Sequence, residues 1–367
     1  MAPDVFVHLI EPVDWRTALT DGAVRPPSLE SVGFVHLSTP EQVHLPAERL
    51  YPGRRDLVLL VVDPARLPDP VRFEDGVPAD PGGMRFPHLY GPLPTSAVTT
   101  VVPYRPPVPV VLPAPGDLLA RGLAFDTSLP VRRAVGVGDV PGGVAVLDPD
   151  VVHSKDNNRG LFTAPVDADT VEAVTDEVGG NAGWPHRAAG LLWPGSDDVA
   201  TDLRDRGWQT QGLVQMGRAA APTTGSDRVE VVPEEQVHGF WAESWRRDLP
   251  DRPDRERVIE DLIGRERLNH RVVEVTNLVV REEGRVVAAG QLRVDGATAA
   301  VDSVLTDPAA RGRGHAGAVL ARAVDLAADR GCDLVVLEAM AAEWPRHWYV
   351  RRGFEQVGSV WEVGRPA

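Results

Sequence analysis

The sequence contains a single cysteine, Cys332, among 367 residues. One thiol excludes an intramolecular disulfide framework and a metal site built from several cysteines, so Cys332 is predicted to be a core residue without a chemical role. No apolar run approaches the roughly 20 residues that cross a bilayer, and the first residues lack the basic segment of a secretory signal. These absences predict a cytoplasmic protein with no membrane partner.

Positive charge is also scarce. Asp and Glu number 53 against 38 Lys and Arg, for a net charge of −15, and Lys155 is the only lysine. Because a nucleic-acid groove needs a concentrated cationic face, no nucleic-acid partner is predicted. The histidines are not accompanied by carboxylates or thiols at metal-ligand spacing, so no metal is predicted either. An acidic protein favours cationic substrates such as amines.

The length of the chain predicts two or three domains. Residues 1–105 alternate short β-like runs with Pro/Gly turns, and residues 106–116 contain five prolines and form a predicted linker. Residues 117–221 form a second segment, which ends near the small-residue joint AAAPTTGSD. Residues 226–367 have the clearest alternation of strands and helices. The predicted fold class is α/β (α+β), with a small α+β domain followed by two mixed-sheet halves, of which the second is complete.

Periodic patterns predict the elements of the last segment. Val237, Phe240 and Trp241 lie on one face of a predicted helix, and NLVVREEGRVVAAGQLRV predicts a hairpin. Residues 314–330 predict a second helix that ends at Gly331. The run DLVVLEAM predicts a buried strand directly after it.

An internal echo links the last two segments. Arg206-Gly207-Trp208 and Arg352-Gly353-Phe354 lie 146 residues apart, and each follows an apolar strand and a short helix. Gly and Val residues recur at matching offsets after both turns. This ordered match predicts a diverged duplication.

The strongest chemical signal is TDPAARGRGHAG, residues 306–317, which follows a predicted strand and opens a predicted helix. Its glycines let a ligand approach the backbone closely, and the free N–H groups of the helix start suit a pyrophosphate. Its two arginines add cationic donors. The alternative is a plain tight strand–helix connection. A dinucleotide fingerprint is disfavoured, because its glycine spacing does not fit.

Arg311, Gly314 and Ala316 fit the pattern Gln/Arg-x-x-Gly-x-Gly/Ala, which resembles the pyrophosphate-binding motif of the GNAT family of N-acetyltransferases. The resemblance extends over residues 226–367. It implies acetyl-CoA as the acyl donor, with the preceding strand pairing with the pantetheine arm. The cofactor-binding residues that it implies are Val304, Leu305, Thr306, Arg311, Gly312, Arg313, Gly314, His315, Ala316 and Gly317.

Two further residues are candidates for proton transfer. The run WYVRRGF resembles the family's F-Y-x-x-x-G-F pattern, which implies that Tyr349 gives a proton to the departing thiolate. The alternative is a packed tyrosine bonded to backbone. Glu338 lies within the apolar run LVVLEAM, where burial would raise its pKa towards that of a general base. The alternatives are that Glu338 faces solvent or that Asp302 is the base.

The middle segment, residues 117–221, resembles a degenerate copy of the same fold. It lacks the Arg-x-x-Gly-x-Gly/Ala turn, so it is predicted to shape the acceptor pocket without catalysing the reaction. Its polar cluster HSKDNNR, residues 153–159, has the composition of a catalytic triad. Because sequential neighbours rarely converge on one atom, we favour a solvated loop that lines the cleft.

The N-terminal segment carries the motifs FVHLST and FPHLYGP. They resemble an uncharacterised bacterial family, classed as a domain of unknown function, which is distantly similar to ADP-ribosyltransferases. The resemblance implies an NAD site in which His36 contacts the ribose, Tyr90 stacks on the nicotinamide and Glu74 is the acidic partner. The alternative is a binding or structural module.

The sequence therefore predicts an N-acetyltransferase that transfers acetyl from acetyl-CoA to a primary amine of a small molecule or protein by direct attack. The alternatives are NAD-dependent ADP-ribosyl transfer by the N-terminal domain and a non-catalytic acyl-CoA sensor. The sequence does not indicate the acceptor or the oligomeric state.

Overall fold

A computed structural model describes residues 4–76, 83–108, 110–223, 227–251 and 253–367. The helices are α1 (Pro12–Asp21), α2 (Pro27–Ser31), α3 (His44–Leu50), α4 (Leu118–Arg133), α5 (Ala168–Ala182), α6 (Asp197–Asp205), α7 (Glu235–Asp248), α8 (Arg255–Gly264), α9 (Glu266–Asn269), α10 (His315–Asp329) and α11 (Pro345–Val350). None of these described helices is long and apolar enough to cross a membrane. The predicted joint around residue 222 lies partly outside the described residues.

The strands belong to four sheets. Those of the N-terminal domain are β1 (Phe6–Ile10), β2 (Ala23–Val24), β3 (Val35–His36), β4 (Leu57–Val62), β5 (Val71–Asp75), β6 (Arg85–Leu89), β7 (Leu93–Pro94) and β8 (Val98–Tyr104). The others are β9 (Gly136–Val140), β10 (Gly143–Leu147), β11 (Arg159–Phe162), β12 (His186–Leu191), β13 (Gln209–Ala219), β14 (Val229–Val232), β15 (Glu274–Glu282), β16 (Arg285–Asp295), β17 (Thr298–Thr306), β18 (Leu334–Met340) and β19 (Glu355–Pro366).

The N-terminal domain is built on small sheets. β1, β4 and β8 form one sheet in the order β1-β4-β8, and β3, β6 and β5 form another. The run LVLLVV of β4 is buried throughout, and the fully buried Trp15 of α1 packs into the same core. The prediction of a small α+β domain at this end of the chain is confirmed.

The described residues after position 135 form one mixed sheet of eleven strands in the order β14-β15-β16-β17-β18-β13-β19-β12-β11-β10-β9. The strands that follow the two Arg-Gly-aromatic turns lie side by side and antiparallel at its centre. β13 lies between β18 and β19, and β19 lies between β13 and β12. β13 of the middle segment therefore lies between two strands of the last segment, and β19 of the last segment lies between two strands of the middle segment. Neither segment forms its part of the sheet without the other.

Helices cover this sheet where the functional residues lie. α10 buries Val319, Leu320, Ala323 and Val324, a spacing of three and four residues that puts one apolar face against β16 and β17. α4 packs Phe125 and other apolar residues against β18. The first residues of α10 and one face of α4 are thereby fixed on either side of the gap between β17 and β18.

The N-terminal domain is docked on the turn between β16 and β17. Trp15 Nε1 donates to Asp295 Oδ1 at 2.7 Å, and the same carboxylate pairs with Arg132 of α4. All three side chains are buried. Asp295 therefore joins the N-terminal domain, the middle segment and the last segment.

We expect Asp295→Ala to destabilise the whole protein, because it leaves the Arg132 guanidinium buried without its carboxylate. Breaking one partner out of a buried pair lowers the free energy of unfolding by about 3–5 kcal/mol. Chemical denaturation followed by tryptophan fluorescence measures the loss. Asp295→Asn, which keeps an acceptor for Trp15, should lose less, and equal stability of the alanine variant and wild type would contradict the docking role.

Candidate functional site

The candidate site lies where two neighbouring strands separate. β17 and β18 pair in parallel only at Thr298↔Leu334, Ala299↔Val335 and Ala300↔Val336. Beyond these pairs, the register of β17 on β16 shifts, and Ser303 has a positive φ of 54°. The strands diverge there, so backbone groups of residues 302–306 border a gap in the sheet.

A cavity of about 180 Å³ lies at this gap. α4, the start of β11 with the residues before it, and β13 form its middle-segment side, and α9, β16, β17, β18, α11 and β19 form its other side. The charged residues that line it are Asp126, Arg133, Asp156, Arg159, Arg265, Glu266, Arg293, Asp302, Glu338 and Glu362. The cavity is therefore a polar chamber shared by the two segments that share the sheet.

Glu338 of β18 points into this cavity. Its side chain is exposed to solvent on the cavity side, while the rest of the cavity wall lies around it. Partial desolvation by this wall, with the negative charges of Asp126 and Glu362, raises the pKa of Glu338 well above its usual value. Gln215 Nε2 donates to its Oε1 at 2.6 Å. The pKa of Glu338 is raised as predicted for a base, whereas its exposure agrees with the alternative that it faces solvent, and its catalytic role stays a prediction.

Tyr349 of α11 also lines the cavity. Its ring packs edge-on against Trp348 and Phe354, with centroids 4.9 and 5.8 Å away. Burial, with a smaller contribution from Asp302, raises its pKa to about 12, so the phenol is protonated at neutral pH. Its hydroxyl makes no hydrogen bond among the described residues. The alternative was a packed tyrosine bonded to backbone, and of its two parts the packing is present and the backbone hydrogen bond is wrong.

Asp302, the rival base, is engaged elsewhere. Arg293 Nη1 lies 2.6 Å from its Oδ2, and the Ser303 N–H donates to its Oδ1 at 2.5 Å. Burial raises the pKa of Asp302, but the charges of Arg293 and Arg265 outweigh burial and hold it below the usual value. Asp302 is a charged partner of an arginine and a weaker proton acceptor than Glu338.

The glycine-rich loop ends at the start of α10. Gly312 and Gly314 have φ values of 78° and 79°, a left-handed conformation that favours glycine. Gly314 caps α10 and has no side chain to accept from the first N–H groups of the helix. These N–H groups and the positive end of the helix dipole are therefore available to an anion, as the motif predicts.

The side chains of this loop are partly tied to the protein. Arg313 Nη1 donates to Glu282 at 2.7 Å, and His315 Nε2 lies 3.0 Å from the other oxygen of that carboxylate. Arg311 Nε donates to the Thr306 carbonyl at 3.4 Å. The loop therefore offers its backbone N–H groups more directly than its arginine side chains.

Two arginines that the sequence analysis missed approach the same loop. Arg228 Nη2 donates to the Gly314 carbonyl at 3.1 Å, although the two residues are 86 positions apart. Arg352 stacks on Trp348, with its Cζ 3.8 Å from the ring centroid. Its Nη2 also lies close to Gly317, 3.3 Å from the position that a Cβ on this glycine would take. Arg352 belongs to the recurring Arg-Gly-aromatic turn, and this pattern could have marked it as a candidate. Arg228 carries no sequence signal.

The cluster at residues 153–159 is not a solvated loop, and that prediction was wrong. Ser154, Asn157 and Asn158 are buried, because they satisfy backbone groups and the buried guanidinium of Arg133. His153 bonds to Asp261 at 2.6 Å. Asp156 and Arg159 do line the cavity, as expected of a segment beside the cleft.

The structure brings together the residues predicted for a second site in the N-terminal domain. Tyr90 Oη donates to Glu74 at 2.8 Å, and His88 Nδ1 lies 2.8 Å from the same carboxylate. The hydrogen bonds from His88 and Tyr90 hold the pKa of Glu74 below its usual value. The His36 and His88 rings lie 5.0 Å apart, and Phe34 stacks on His88. His88, which the sequence analysis did not select, is the histidine that contacts Glu74.

Cys332 is buried among apolar residues of the core, as predicted. Burial raises the pKa of its thiol to about 12, so it carries almost no thiolate at neutral pH. It has no part in the site.

Comparison with family models gives two matches. Residues 235–354 match the Acetyltransferase (GNAT) family, and residues 9–101 match a family of proteins of unknown function, DUF952. Both are the families that the sequence motifs resemble, so these resemblances are confirmed. The GNAT match implies use of an acyl-CoA, whereas neither match supports NAD binding.

Several solved structures are similar to parts of this chain. A functionally unknown conserved protein from Staphylococcus epidermidis is 12% identical with a TM-score of 0.51, covering 62% of this chain and 92% of its own. A Caulobacter crescentus protein is 33% identical over 27% of this chain and 84% of its own, with a TM-score of 0.24. An N-acetyltransferase from Kribbella flavida is 17% identical with a TM-score of 0.48, over 69% and 97%. No curated protein matches the chain.

Proposed function

We propose an activity for this chain, which carries a DUF952 domain over residues 9–101 and a GNAT acetyltransferase domain over residues 235–354. The activity is transfer of the acetyl group of acetyl-CoA to a primary amine, by direct attack, in the cavity between β17 and β18. The observation that carries the proposal is the path of the chain along β17. This strand borders the cavity with its candidate acid and base groups, and it leads directly into the glycine-rich loop and the uncapped start of α10.

The start of α10 and its loop are proposed to hold the pyrophosphate of coenzyme A. Gly312 and Gly314 let the backbone approach the phosphates, and the helix dipole favours their negative charge. Residues 304–306 border the gap and are proposed to accept the pantetheine arm as an additional strand. This arrangement directs the thioester towards the side of the cavity that Tyr349 and Glu338 line.

The cavity residues are proposed to transfer protons at two points. Glu338, as carboxylate, removes a proton from the acceptor ammonium, because an amine must be neutral to attack. The amine nitrogen then forms a bond to the thioester carbonyl carbon. When the carbon–sulfur bond breaks, Tyr349 donates its phenol proton to the thiolate, and the amide nitrogen loses its remaining extra proton to solvent. Glu338 then releases its proton and the Tyr349 phenolate takes one up through solvent, so that both groups return to their starting states.

The middle segment is proposed to lack a donor site, and its own helix start supports this. β11, α5 and β12 repeat the arrangement of β17, α10 and β18, with parallel strands on either side of a helix. Asp167 caps α5, and its carboxylate accepts from the Thr170 N–H at 2.8 Å. A negative group therefore already occupies the position where a pyrophosphate would need N–H donors.

We accordingly expect one molecule of acetyl-CoA to bind per protein chain. Isothermal titration calorimetry with coenzyme A measures the stoichiometry directly. A value of two would show that the middle segment holds a second donor site in spite of its Asp167 cap.

The proposed activity is tested by incubating the full chain with acetyl-CoA and a panel of primary amines and following release of free thiol. Amine-dependent release well above the rate without amine supports acetyl transfer. Binding of acetyl-CoA without any amine-dependent release would favour the acyl-CoA sensor instead.

A further inference from the structure

We infer that Asp126 of the middle segment and Glu338 act as one carboxyl pair, held by Gln215, which binds the ammonium group of a small cationic acceptor and removes its proton. This inference rests on the proposed acetyl transfer to an amine, and it names the chemistry of the acceptor. It also gives the middle segment a direct part in the reaction.

The two carboxyl groups are brought together by a single side-chain amide. Gln215 Nε2 donates to Asp126 Oδ2 at 2.5 Å and to Glu338 Oε1 at 2.6 Å. The two oxygens therefore lie within about 5 Å of each other. Gln215 is buried and sits on β13, the strand exchanged into the sheet next to β18. The strand exchange thus builds the pair from both segments.

The pair differs from the other carboxylates of the cavity because neither member has a cationic partner within the part of the chain that the structure describes. Arg159 pairs with Glu362, Arg265 with Asp156, and Arg293 with both Glu266 and Asp302, all at 2.5–2.9 Å. Among the described residues, no arginine, lysine or histidine forms an ion pair with Asp126 or Glu338. Six carboxylates face four arginines in the cavity, and the two without cations are the two that share Gln215.

Two like charges this close in a cavity hold protons strongly until a cation arrives. Burial raises the pKa of Asp126 to about 7, and burial also raises that of Glu338. The charged groups that face the pair are Arg159, Arg293, Asp302 and Glu362. An ammonium group placed between the carboxyls would stabilise their ionised form, so that the proton they hold leaves to solvent and the resulting carboxylate can deprotonate the ammonium.

The excess of carboxylates predicts a preference by charge. Three amines of equal carbon length separate this effect from size: 3-aminopropanoate, 1-aminopropane and 1,3-diaminopropane carry about 0, +1 and +2 charges at neutral pH. We expect kcat/KM to rise in this order. The carboxylates of the cavity repel the carboxylate of 3-aminopropanoate and attract the second ammonium group of 1,3-diaminopropane.

The test compares Asp126→Asn with the full wild-type chain and with Asp205→Asn. Asp205 is an exposed carboxylate at the end of α6, in the same segment but outside the cavity. Asp126→Asn should lower kcat/KM for 1,3-diaminopropane at least tenfold, chiefly through the acceptor KM, and should flatten the order of the three amines. Affinity for coenzyme A should stay unchanged, which also shows that the variant is folded.

The pH profile gives a second readout. Without the charge of Asp126, Glu338 loses a repelling neighbour and its pKa falls, so the acid limb of the kcat/KM profile should move to lower pH. The Asp205→Asn variant should keep the wild-type limb. If Asp126→Asn kept the wild-type order of amine preference and the wild-type acid limb of the pH profile, the proposed carboxyl pair would be contradicted. If none of the amines caused thiol release, the proposed function itself would be contradicted.

Discussion

Replacing Gly314 by valine is expected to weaken binding of coenzyme A by at least about 100-fold. Gly314 has a φ of 79°, which a β-branched residue adopts only at a cost, and its Cβ would lie 3.2 Å from Arg228 Nη2. The substitution therefore deforms the loop and places a side chain where the phosphates need backbone N–H groups. Calorimetric titration with coenzyme A measures the change.

Gly207→Val is the matched control for this variant. Gly207 has a φ of 91° and nothing lies within 4 Å of a Cβ placed on it, so the backbone strain is similar but the site is distant. We expect the control to lose some stability and to bind coenzyme A normally. Unchanged affinity of the Gly314 variant would remove the loop from the donor site.

Replacing Tyr349 by phenylalanine is expected to lower kcat by about 100- to 10,000-fold, the range for loss of a general acid. The ring packing against Trp348 and Phe354 survives, and only the hydroxyl that gives its proton to the thiolate is removed. Affinity for acetyl-CoA should be unaffected, because the phosphate contacts lie in the loop before α10. Steady-state thiol release with the best acceptor gives the rate.

Tyr104→Phe controls for the loss of a buried phenol in general. Tyr104 is a buried tyrosine of β8, in the N-terminal domain and outside the cavity. Its variant should turn over as wild type does. A kcat for Tyr349→Phe within about threefold of wild type would show that Tyr349 only packs, although the fold and the donor site would be unaffected.

The local patterns of the sequence predicted the elements around the site well. The 3.6-residue period of α7 and α10, and the hairpin of β15 and β16, depend on neighbours within a few residues, which a sequence displays directly. The loop before α10 was recognisable for the same reason. Gly312 and Gly314 of this loop have left-handed backbone conformations, which favour glycine. This requirement depends on the loop itself and is therefore visible in the local sequence.

The acceptor side of the cavity was not predictable in the same way. Asp126 lies in an amphipathic helix with no motif around it, and it contacts Glu338 only through Gln215, 89 residues further along the chain. The exchange of β13 and β19 creates this contact. No residue pattern in the sequence predicts that β13 lies beside β18. The echo of the two Arg-Gly-aromatic turns indicated a duplication but not the exchange.

The composition of a segment did not predict which of its polar side chains are buried. Residues 153–159 are hydrophilic, so a solvated loop was predicted, yet several of them are buried because they satisfy Arg133 and neighbouring backbone groups. In the N-terminal domain, Glu74 and Tyr90 were predicted together and do lie together, because β5 pairs antiparallel with β6 and Tyr90 directly follows β6. His88 was overlooked in favour of His36, since both stand in similar motifs.

The central claim is transfer of acetyl from acetyl-CoA to an amine, and its most direct test is a product balance. Free coenzyme A is quantified by thiol titration and the N-acetylated amine by mass spectrometry in the same reaction. The account predicts equal amounts of both products, with neither formed when the amine is left out. Thiol release without acetylated amine would indicate hydrolysis, and bound acetyl-CoA without either product would indicate a sensor; both results would contradict the claim.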